Sequence, residues 1–242
     1  MIEFTVSIAG YAFSVRPLFP EIKDFFSDYL SDDEPLFTVT SLPQDIPAER
    51  ERTVRQAELE GRAPAGYSDR YIETISLCRR ITAALLDKGV LLFHGAAVAY
   101  GGRAYVFTAP SGTGKTTHVR LWLDNIPGCH VLNGDKPFLR FDENGVFVCG
   151  TPWMGKERMG VNEILPLAGI CILQRSEENC IDPLEFKDAF PTVLSQTSRP
   201  EGGSALVSVV RLLKKLEDIP CYRLGCNMQP DAARVSFEAM VR

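Results

Sequence analysis

Alternating apolar and polar residues open the chain and predict a small β-sheet. The alternation runs through residues 2–8 and again through 11–15, with the turn-forming pair Ala9-Gly10 between the two runs. Alternation places one face of each strand against a core, so this spacing predicts a β-hairpin. A short helix at 21–30 and a third strand at 36–40 complete the predicted N-terminal layer.

A polar segment at residues 41–66 follows this layer. Its prolines and its Glu, Arg and Gln residues are typical of a linker or of a solvated helix. From Ser68-Asp69 to Lys88-Gly89 the apolar residues recur at helical spacing, which predicts an amphipathic helix that leads into the main core. We therefore predict a strand-rich accessory region and linker at 1–66 and a larger domain at 67–242.

Short apolar runs predict the strands of a larger sheet in the second region. The predicted strands cover residues 90–93, 96–100, 103–108, 129–133, 138–141, 146–149, 167–174 and 221–224. The pair Gly101-Gly102 predicts a two-residue hairpin turn, so some of these strands pair antiparallel. The run at 167–174 is continuously apolar, as expected for a strand buried on both faces at the centre of the sheet. Helices are predicted at 184–194 and 205–216, and a last helix is predicted to be capped by Asp231.

Composition narrows the classes of partner. The 242 residues are 45% hydrophobic and 24% charged, close to ordinary globular averages. A net charge of -5 argues against a broad basic surface, so no nucleic-acid partner is expected. The chain has no apolar run long enough for a membrane span and no signal-like start, so we expect no membrane partner and a cytoplasmic location. The seven cysteines are scattered without a C-x-x-C pair, which favours reduced thiols over a zinc site.

The segment Ala109-Pro-Ser-Gly-Thr-Gly-Lys-Thr116 carries the candidate chemistry. It matches the Walker A pattern except for Ala109 at the first glycine, and it lies between a predicted strand and a predicted helix at 116–123. Glycines let the backbone approach phosphate oxygens, Lys115 can neutralise the β and γ phosphates, and the Thr116 hydroxyl can bind Mg²⁺. The candidate nucleotide-binding residues are Ser111, Gly112, Thr113, Gly114, Lys115, Thr116 and Thr117.

This motif predicts that ATP, or another nucleotide, binds together with Mg²⁺. The base stays open, because the loop grips phosphates and not adenine. The alternative is a glycine turn before an ordinary helix that carries a surface lysine.

Two further residues are candidates for catalysis beside Lys115. Asp135 follows a predicted strand, where its carboxylate could bind the metal or accept a proton from an acceptor hydroxyl. His94 lies at the end of another predicted strand, a frequent functional position in α/β sheets. The alternatives are a turn aspartate between Gly134 and Lys136, and a structural histidine.

The segment 151–158, Thr-Pro-Trp-Met-Gly-Lys-Glu-Arg, is a candidate acceptor loop. It combines a rigid Pro-Trp pair with glycine and mixed charge. Trp153 could form a wall of the acceptor site, and Lys156 or Arg158, next to Glu157, could stabilise charge on a transferred phosphoryl group. Equally, Trp153 could belong to the core and the charged residues to a solvated loop.

The motifs together resemble the C-terminal domain of the HPr serine kinase/phosphorylase family. The matching segments are Phe93-His-Gly-Ala-Ala-Val98, Ala109 to Thr117, and Leu132-Asn-Gly-Asp-Lys136. More distantly, the glycine-rich segment followed by Gly134-Asp135 is similar to the ATP-dependent phosphoenolpyruvate carboxykinases. The resemblance covers about residues 92–174, and the C-terminal strand and helix more loosely.

The resemblance implies an α/β fold with a mixed, partly antiparallel sheet around the loop and flanking helices, next to the strand-rich N-terminal region. It also implies transfer of a phosphoryl group from a nucleotide to a serine hydroxyl of a protein or peptide, with a role for His94. The family has two adjacent aspartates where this chain has Gly134-Asp135, and its Glu-x-Arg-Gly signature has only a loose counterpart in Glu157-Arg-Met-Gly160. The N-terminal region also differs from that of bacterial HPr kinases, which favours an acceptor other than HPr. Relatives form rings or dimers, so a homo-oligomer stays open.

The sequence leaves two further functions open. A nucleotide-binding regulator with weak or no transfer activity is favoured by Gly134, because a single carboxylate cannot easily bind metal and accept a proton at once. A carboxykinase-like lyase would need additional metal ligands and an arginine-lined site, for which the chain looks too short.

Overall fold

The structure, a computed structural model, describes residues 2–59, 61, 63–200 and 203–241. The chain forms two compact units, residues 1–84 and 85–242. This division falls at the end of the helix that was expected to lead into the main core, whereas the boundary suggested by the sequence precedes that helix. A functional domain at 67–242 stays a prediction.

The first unit contains a three-stranded sheet. Strands β1 (Phe4–Ile8) and β2 (Tyr11–Arg16) pair antiparallel, and β3 (Thr38–Thr40) pairs parallel with β2. Ala9 and Gly10 connect β1 to β2 with φ angles of 56° and 81°. Two positive φ angles suit a two-residue hairpin, because the turn then follows the twist of the strands. The predicted hairpin is confirmed.

The helices of the first unit differ in part from the predicted ones. The predicted helix at 21–30 is divided into α1 (Ile22–Phe25) and a 3₁₀ turn at Ser27–Tyr29. The polar segment after β3 contains a helix, α2 (Asp45–Leu59), and α3 (Asp69–Leu85) follows it.

An ion pair fastens α2 to α3. Glu49 is only 2% exposed and accepts two hydrogen bonds from the Arg79 guanidinium, both of 2.8 Å. Such a two-pronged pair compensates the buried carboxylate, so this specific contact helps to hold the polar helix against α3.

A larger mixed sheet forms the centre of the second unit. Its strands are β4 (Val90–Leu92), β5 (Ala96–Tyr100), β6 (Arg103–Thr108), β7 (His130–Asn133), β8 (Phe138–Asp142), β9 (Gly145–Cys149), β10 (Ile164–Arg175), β11 (Cys180–Leu184) and β12 (Cys221–Cys226). Their order is β4-β8-β9-β10-β6-β5-β7, with β12 beside β10 and β11 beside β12. Every predicted strand of this region is present.

Strand β10 organises this sheet. Its first residues pair antiparallel with β9, and its later residues pair parallel with β6 on one side and β12 on the other. The apolar run that predicted a central strand is therefore confirmed. Strand β11 was missed, because its residues are half-buried or exposed and include a proline.

Helices cover both faces of the sheet. They are α4 (Lys115–Asn125), α5 (Phe186–Ser195), α6 (Gly203–Leu213) and α7 (Asp231–Met240). Apolar residues of α4 and α7 share one core cluster with the sheet, and those of α5 and α6 share the other. The predicted mixed, partly antiparallel α/β class, with a small N-terminal sheet, is confirmed.

The predicted cap of the last helix is wrong. Pro230 occupies the N-cap position of α7, and Asp231 is the first helical residue. The Asp231 carboxylate instead accepts a hydrogen bond of 2.6 Å from Arg234, one turn further along. This pair still places negative charge in the first turn of the helix.

No helix in the described ranges has both the length and the apolar character of a membrane span.

Candidate functional site

The strand order brings the candidate residues to one edge of the larger sheet. Strand β6 is antiparallel to β5, and β5 is antiparallel to β7, so β6 and β7 run in the same direction. The glycine-rich loop (residues 109–114) follows β6, Asp135 follows β7, and His94 precedes β5. The structure thus collects at one edge residues that lie in three separate parts of the sequence.

Glycines shape the glycine-rich loop at two positions. Gly112 and Gly114 have φ angles of 80° and 123°, which residues with a side chain rarely adopt. Gly114 is the N-cap residue of α4, so the loop ends where the amide groups of the helix start are free. Ala109, which replaces the first glycine of the motif, is fully buried and has no positive φ, so an alanine fits there without strain.

Lys115 folds back over this loop. Its side chain is 9% exposed, and Nζ donates a hydrogen bond of 2.9 Å to the carbonyl oxygen of Ala109. Burial lowers the pKa of the ammonium; the charge of Asp135 counteracts this effect, and the charge of Lys136 adds to it. A partly desolvated cation at a helix N-terminus is a suitable partner for an anion.

The remaining loop residues differ in their exposure. Thr116 and Thr117 are half-buried in the first turn of α4, and Ser111 is exposed in the loop. Thr113 Oγ1 donates a hydrogen bond of 2.9 Å to the Pro110 carbonyl oxygen, so it braces the turn. Binding of phosphate or metal by these side chains stays a prediction.

Asp135 lies between two basic side chains. His94 Nε2 is 3.4 Å from Asp135 Oδ1, and the Lys136 ammonium contacts Asp135 Oδ2. Burial raises the pKa of Asp135, but the hydrogen bonds and charges of His94 and Lys136 outweigh burial and hold the pKa at about 2. The carboxylate is therefore ionised throughout the physiological range, which suits a metal ligand better than a general base.

The backbone also joins His94 to Asp135. The carbonyl oxygen of Asp135 accepts a hydrogen bond of 3.0 Å from the Gly95 amide. The carbonyl oxygen of His94 accepts another, of 2.9 Å, from the hydroxyl of Thr108, the last residue of β6. His94 and Asp135 are therefore held in place next to the start of the glycine-rich loop.

Asn133 is a positioning residue that the sequence analysis did not single out. Its side chain is fully buried, and Oδ1 accepts hydrogen bonds of 2.9 Å and 2.8 Å from the amides of Asp135 and Lys136. Its Nδ2 donates to the backbone carbonyl and the hydroxyl oxygen of Thr151 at 3.0 Å and 3.1 Å. This network fixes the turn that presents the Asp135 carboxylate. An asparagine two residues before an acidic residue is the only signal in the sequence.

A steric reason explains the absence of a second acidic residue at Gly134. A Cβ atom there would lie 2.8 Å from the backbone oxygen of Met154 and 3.2 Å from that of Met159. The Gly134 amide also donates a hydrogen bond of 2.9 Å to the Met159 carbonyl oxygen. The glycine allows this close backbone approach, and a side chain there would collide with the segment that follows β9.

Replacing Gly134 by aspartate is therefore expected to lower stability without creating a useful second carboxylate. The collision with two backbone oxygens should reduce the free energy of unfolding by about 1–3 kcal/mol, as overpacking does. Chemical denaturation would measure the loss, and Gly134→Ala should show most of it because it adds only the Cβ. Gly66→Asp is a matched control, since nothing lies within 4 Å of a Cβ at Gly66. A Gly134→Asp variant as stable as wild type would contradict this steric explanation.

The candidate acceptor loop, residues 151–158, divides into a buried part and an exposed part. Trp153 is 7% exposed, and its ring lies 6.4 Å from that of Phe138, so it belongs to the core and does not form an open wall. Lys156, Glu157 and Arg158 are exposed.

Two contacts connect this loop to the rest of the site. A Cβ at Gly155 would lie 3.0 Å from the Cβ of Asp135, so the loop backbone lies directly against that residue. Glu157 accepts a hydrogen bond of 2.6 Å from Arg120 of α4. The loop is therefore connected both to the acidic residue and to the helix that follows the glycine-rich loop.

The donor set decides which kind of metal site could form. Within the described ranges no group of three or more His, Cys, Asp or Glu residues could hold a metal ion. Mg²⁺ commonly uses one or two protein oxygens together with substrate phosphates, and it does not need such a cage. The Asp135 carboxylate and the Thr116 hydroxyl carry oxygen donors of the type that such an ion uses, and their binding of a metal stays a prediction.

The comparisons with known proteins add little to this picture. No protein-family profile matches the chain, and neither does any curated protein sequence. Among solved structures, the HPr(Ser) kinase/phosphatase from Coxiella burnetii is similar over 62% of this chain and 92% of its own, with 9% sequence identity and a TM-score of 0.36. This likeness is too weak to assign the chain to a family. The fold and site define an α/β protein with a glycine-rich strand–loop–helix. Any functional proposal therefore rests on the strand order and on the contacts within the site.

Proposed function

We propose that the protein is a nucleotide-dependent phosphotransferase that moves a phosphoryl group from ATP to a hydroxyl, the serine of a protein or peptide. The main support for this proposal is the position of the Lys115 ammonium. It is buried over the glycine-rich loop, at the same edge of the sheet as Asp135 and His94. In the nucleotide-free protein this cation contacts a neutral carbonyl group, which does not by itself require a buried charge. The negatively charged phosphates of a nucleotide would interact favourably with it.

The nucleotide phosphates would lie over the start of α4. The amides of the helix start, and those of the loop other than the Thr113 amide, would donate to phosphate oxygens, and Lys115 would bind the β and γ phosphates. The hydroxyls of Thr116 and Thr117, in the first turn of α4, would complete this side of the nucleotide-binding site. The sheet edge beyond β7 would then face the γ phosphate.

Thr116 and Asp135 would hold the magnesium ion that accompanies ATP. When bound, the metal would neutralise charge that develops on the phosphoryl oxygens. Asp135 fits this role because its pKa of about 2 keeps it ionised. The Lys136 ammonium, which contacts Asp135 in the free protein, would have to release that oxygen.

His94 is the better candidate for proton transfer. The Asp135 carboxylate accepts from His94 Nε2, so the imidazole is oriented by an acid in the way that general bases commonly are. The other ring nitrogen would then accept the proton of the acceptor hydroxyl. This division gives metal binding to Asp135 and proton transfer to His94, and it compensates for the single carboxylate.

The acceptor would bind between His94 and the exposed end of the 151–158 loop. Lys156 and Arg158 are exposed there, and Glu157 is connected to Arg120 of α4. Two cations on a loop that lies against Asp135 could stabilise charge on the moving phosphoryl group. We assign these residues to the acceptor side of the reaction.

A nucleotide-binding regulator is the second candidate function. Gly134 cannot carry a second acid, and the Lys136 ammonium contacts one oxygen of Asp135. A site with this arrangement could bind ATP without transferring phosphate efficiently. The two functions differ in turnover and not in nucleotide binding.

Calorimetry with ATP, ADP and AMP, with and without Mg²⁺, tests the proposal. ATP and ADP should bind with micromolar to millimolar affinity and AMP much more weakly, because the loop recognises the β phosphate. Release of ADP from ATP in the presence of serine-containing peptides would then separate the enzyme from the regulator. Absence of any nucleotide binding would contradict both functions.

A further inference from the structure

Arg175 contacts the glycine-rich loop from another strand. It is the last residue of β10, and its Nη2 donates a hydrogen bond of 2.5 Å to the carbonyl oxygen of Gly112, 63 residues earlier in the chain. The sequence motif contains no hint of this contact. The chain direction explains it, because β10 and β6 are parallel and end at the same edge of the sheet.

We propose that Arg175 is a positioning residue that holds the glycine-rich loop ready to receive phosphates. This inference rests on the proposed function in so far as the loop binds a nucleotide. Its structural part, restraint of the loop by Arg175, is independent of which nucleotide binds.

The loop needs an outside restraint because its glycines have little to pack against. Nothing lies within 4 Å of a Cβ built at Gly112 or at Gly114, and both residues have positive φ angles. Glycine has more backbone freedom than any other residue, so an ordered conformation there has a high entropic cost. A hydrogen bond from a residue of a neighbouring strand reduces the number of conformations from which the nucleotide must select.

Arg175 acts on one peptide group in the middle of the loop. The peptide between Gly112 and Thr113 is planar, so fixing its carbonyl also fixes its amide on the opposite side. That amide, of Thr113, donates a hydrogen bond of 3.3 Å to the Pro110 carbonyl oxygen. The two bonds together hold this peptide plane from both sides.

Strand β10 is a firm base for this contact. Arg175 pairs with Cys226 of β12, and the amide of Ser176 donates a hydrogen bond of 3.0 Å to the Cys226 carbonyl oxygen. The end of the strand is therefore anchored on the side away from the loop. The guanidinium is a cationic donor, so its hydrogen bond to the Gly112 carbonyl oxygen is a charge-assisted one.

Hydrogen exchange and calorimetry on Arg175→Ala test the inference. In the nucleotide-free protein, the Thr113 amide, which donates to the Pro110 carbonyl oxygen, should exchange several-fold faster than in wild type, with the amides of β10 unchanged. The Kd for Mg-ADP should rise about tenfold. Arg175→Lys should lie between the two, since an ammonium can donate to the carbonyl but lacks the planar fork. Arg223→Ala, which removes an exposed arginine from the neighbouring strand β12, should match wild type in both measurements.

The possible outcomes separate this inference from the proposed function. Unchanged loop exchange in Arg175→Ala would overturn the inference, even with weaker ADP binding, because Arg175 would then contact the phosphates directly. If Arg175→Ala binds ADP as tightly as wild type while Lys115→Ala has lost binding, the inference about Arg175 is also overturned. The proposed function would then still stand. Faster loop exchange in a protein that binds no nucleotide at all would support the restraint and contradict the proposed function.

Discussion

Replacement of Lys115 by methionine should weaken Mg-ATP and Mg-ADP binding by about 100-fold or more. The ammonium is enclosed at the start of α4, so the triphosphate would lose a partly desolvated ionic partner, a loss of about 3 kcal/mol. Isothermal calorimetry measures the change directly. The exposed Lys214, which follows α6, is the matched control, and Lys214→Met should bind nucleotide like wild type.

The same variant should keep or raise the stability of the nucleotide-free protein. Burial lowers the pKa of Lys115, so the folded state holds the charged form less well than the unfolded chain does. The lysine therefore costs folding free energy at neutral pH, and this cost decreases as the pH rises above the lowered pKa and disappears near the ordinary pKa of 10.5. Thermal unfolding should show an unchanged or higher Tm without nucleotide and no increase on adding ADP. A lower Tm with retained ADP stabilisation would mean that Lys115 is structural.

Replacement of Asp135 by asparagine should reduce phosphoryl transfer by about 10²–10⁴-fold, the range expected when a group that acts on the transition state is removed. Nucleotide binding without Mg²⁺ should change little, whereas the additional affinity contributed by Mg²⁺ should be lost. Asp124→Asn, at an exposed position of α4, controls for the change of charge. Full turnover by Asp135→Asn would contradict the assignment of Asp135 to the metal and leave the phosphotransferase proposal resting on the loop and His94.

Lowering the pH should remove the contribution of the Asp135 carboxylate to the folding stability of the wild-type protein. The pKa of Asp135 is held at about 2 in the folded state, against 3.8 ordinarily. Its stabilising contribution is therefore complete above 3.8 and is lost as the pH falls toward 2. Denaturation curves of wild type and Asp135→Asn should differ at neutral pH and converge in acid. Curves that stay parallel through this range would contradict the pairing of Asp135 with His94 and Lys136.

Local pattern accounts for most of the secondary structure. The hairpin at Ala9-Gly10, the turn at Gly101-Gly102 and the central strand β10 were predictable, because alternation, turn residues and apolar runs act over a few neighbouring residues. The failures have physical causes as well. Strand β11 lies at an edge with little burial, and the helix expected at 21–30 breaks after Phe25.

The candidate site also has a part that could be predicted from local sequence and a part that could not. The glycine-rich loop could be predicted because its strand, turn and helix are contiguous in the chain. The contact of His94 with Asp135 could only be guessed from strand ends, since it depends on the order β6-β5-β7. The hydrogen bonds of Asn133 to Thr151 and the contact of Arg175 with Gly112 had no usable signal, because each links segments that are not adjacent in sequence.

The amino-acid sequence by itself determined the elements and the phosphate-binding candidate, since both depend on short-range geometry. Only the tertiary structure decided which strand ends meet, that Trp153 is buried, and that Gly134 has no room for a side chain. Those facts follow from long-range strand pairing and from the close approach of one backbone to another, which no local pattern records.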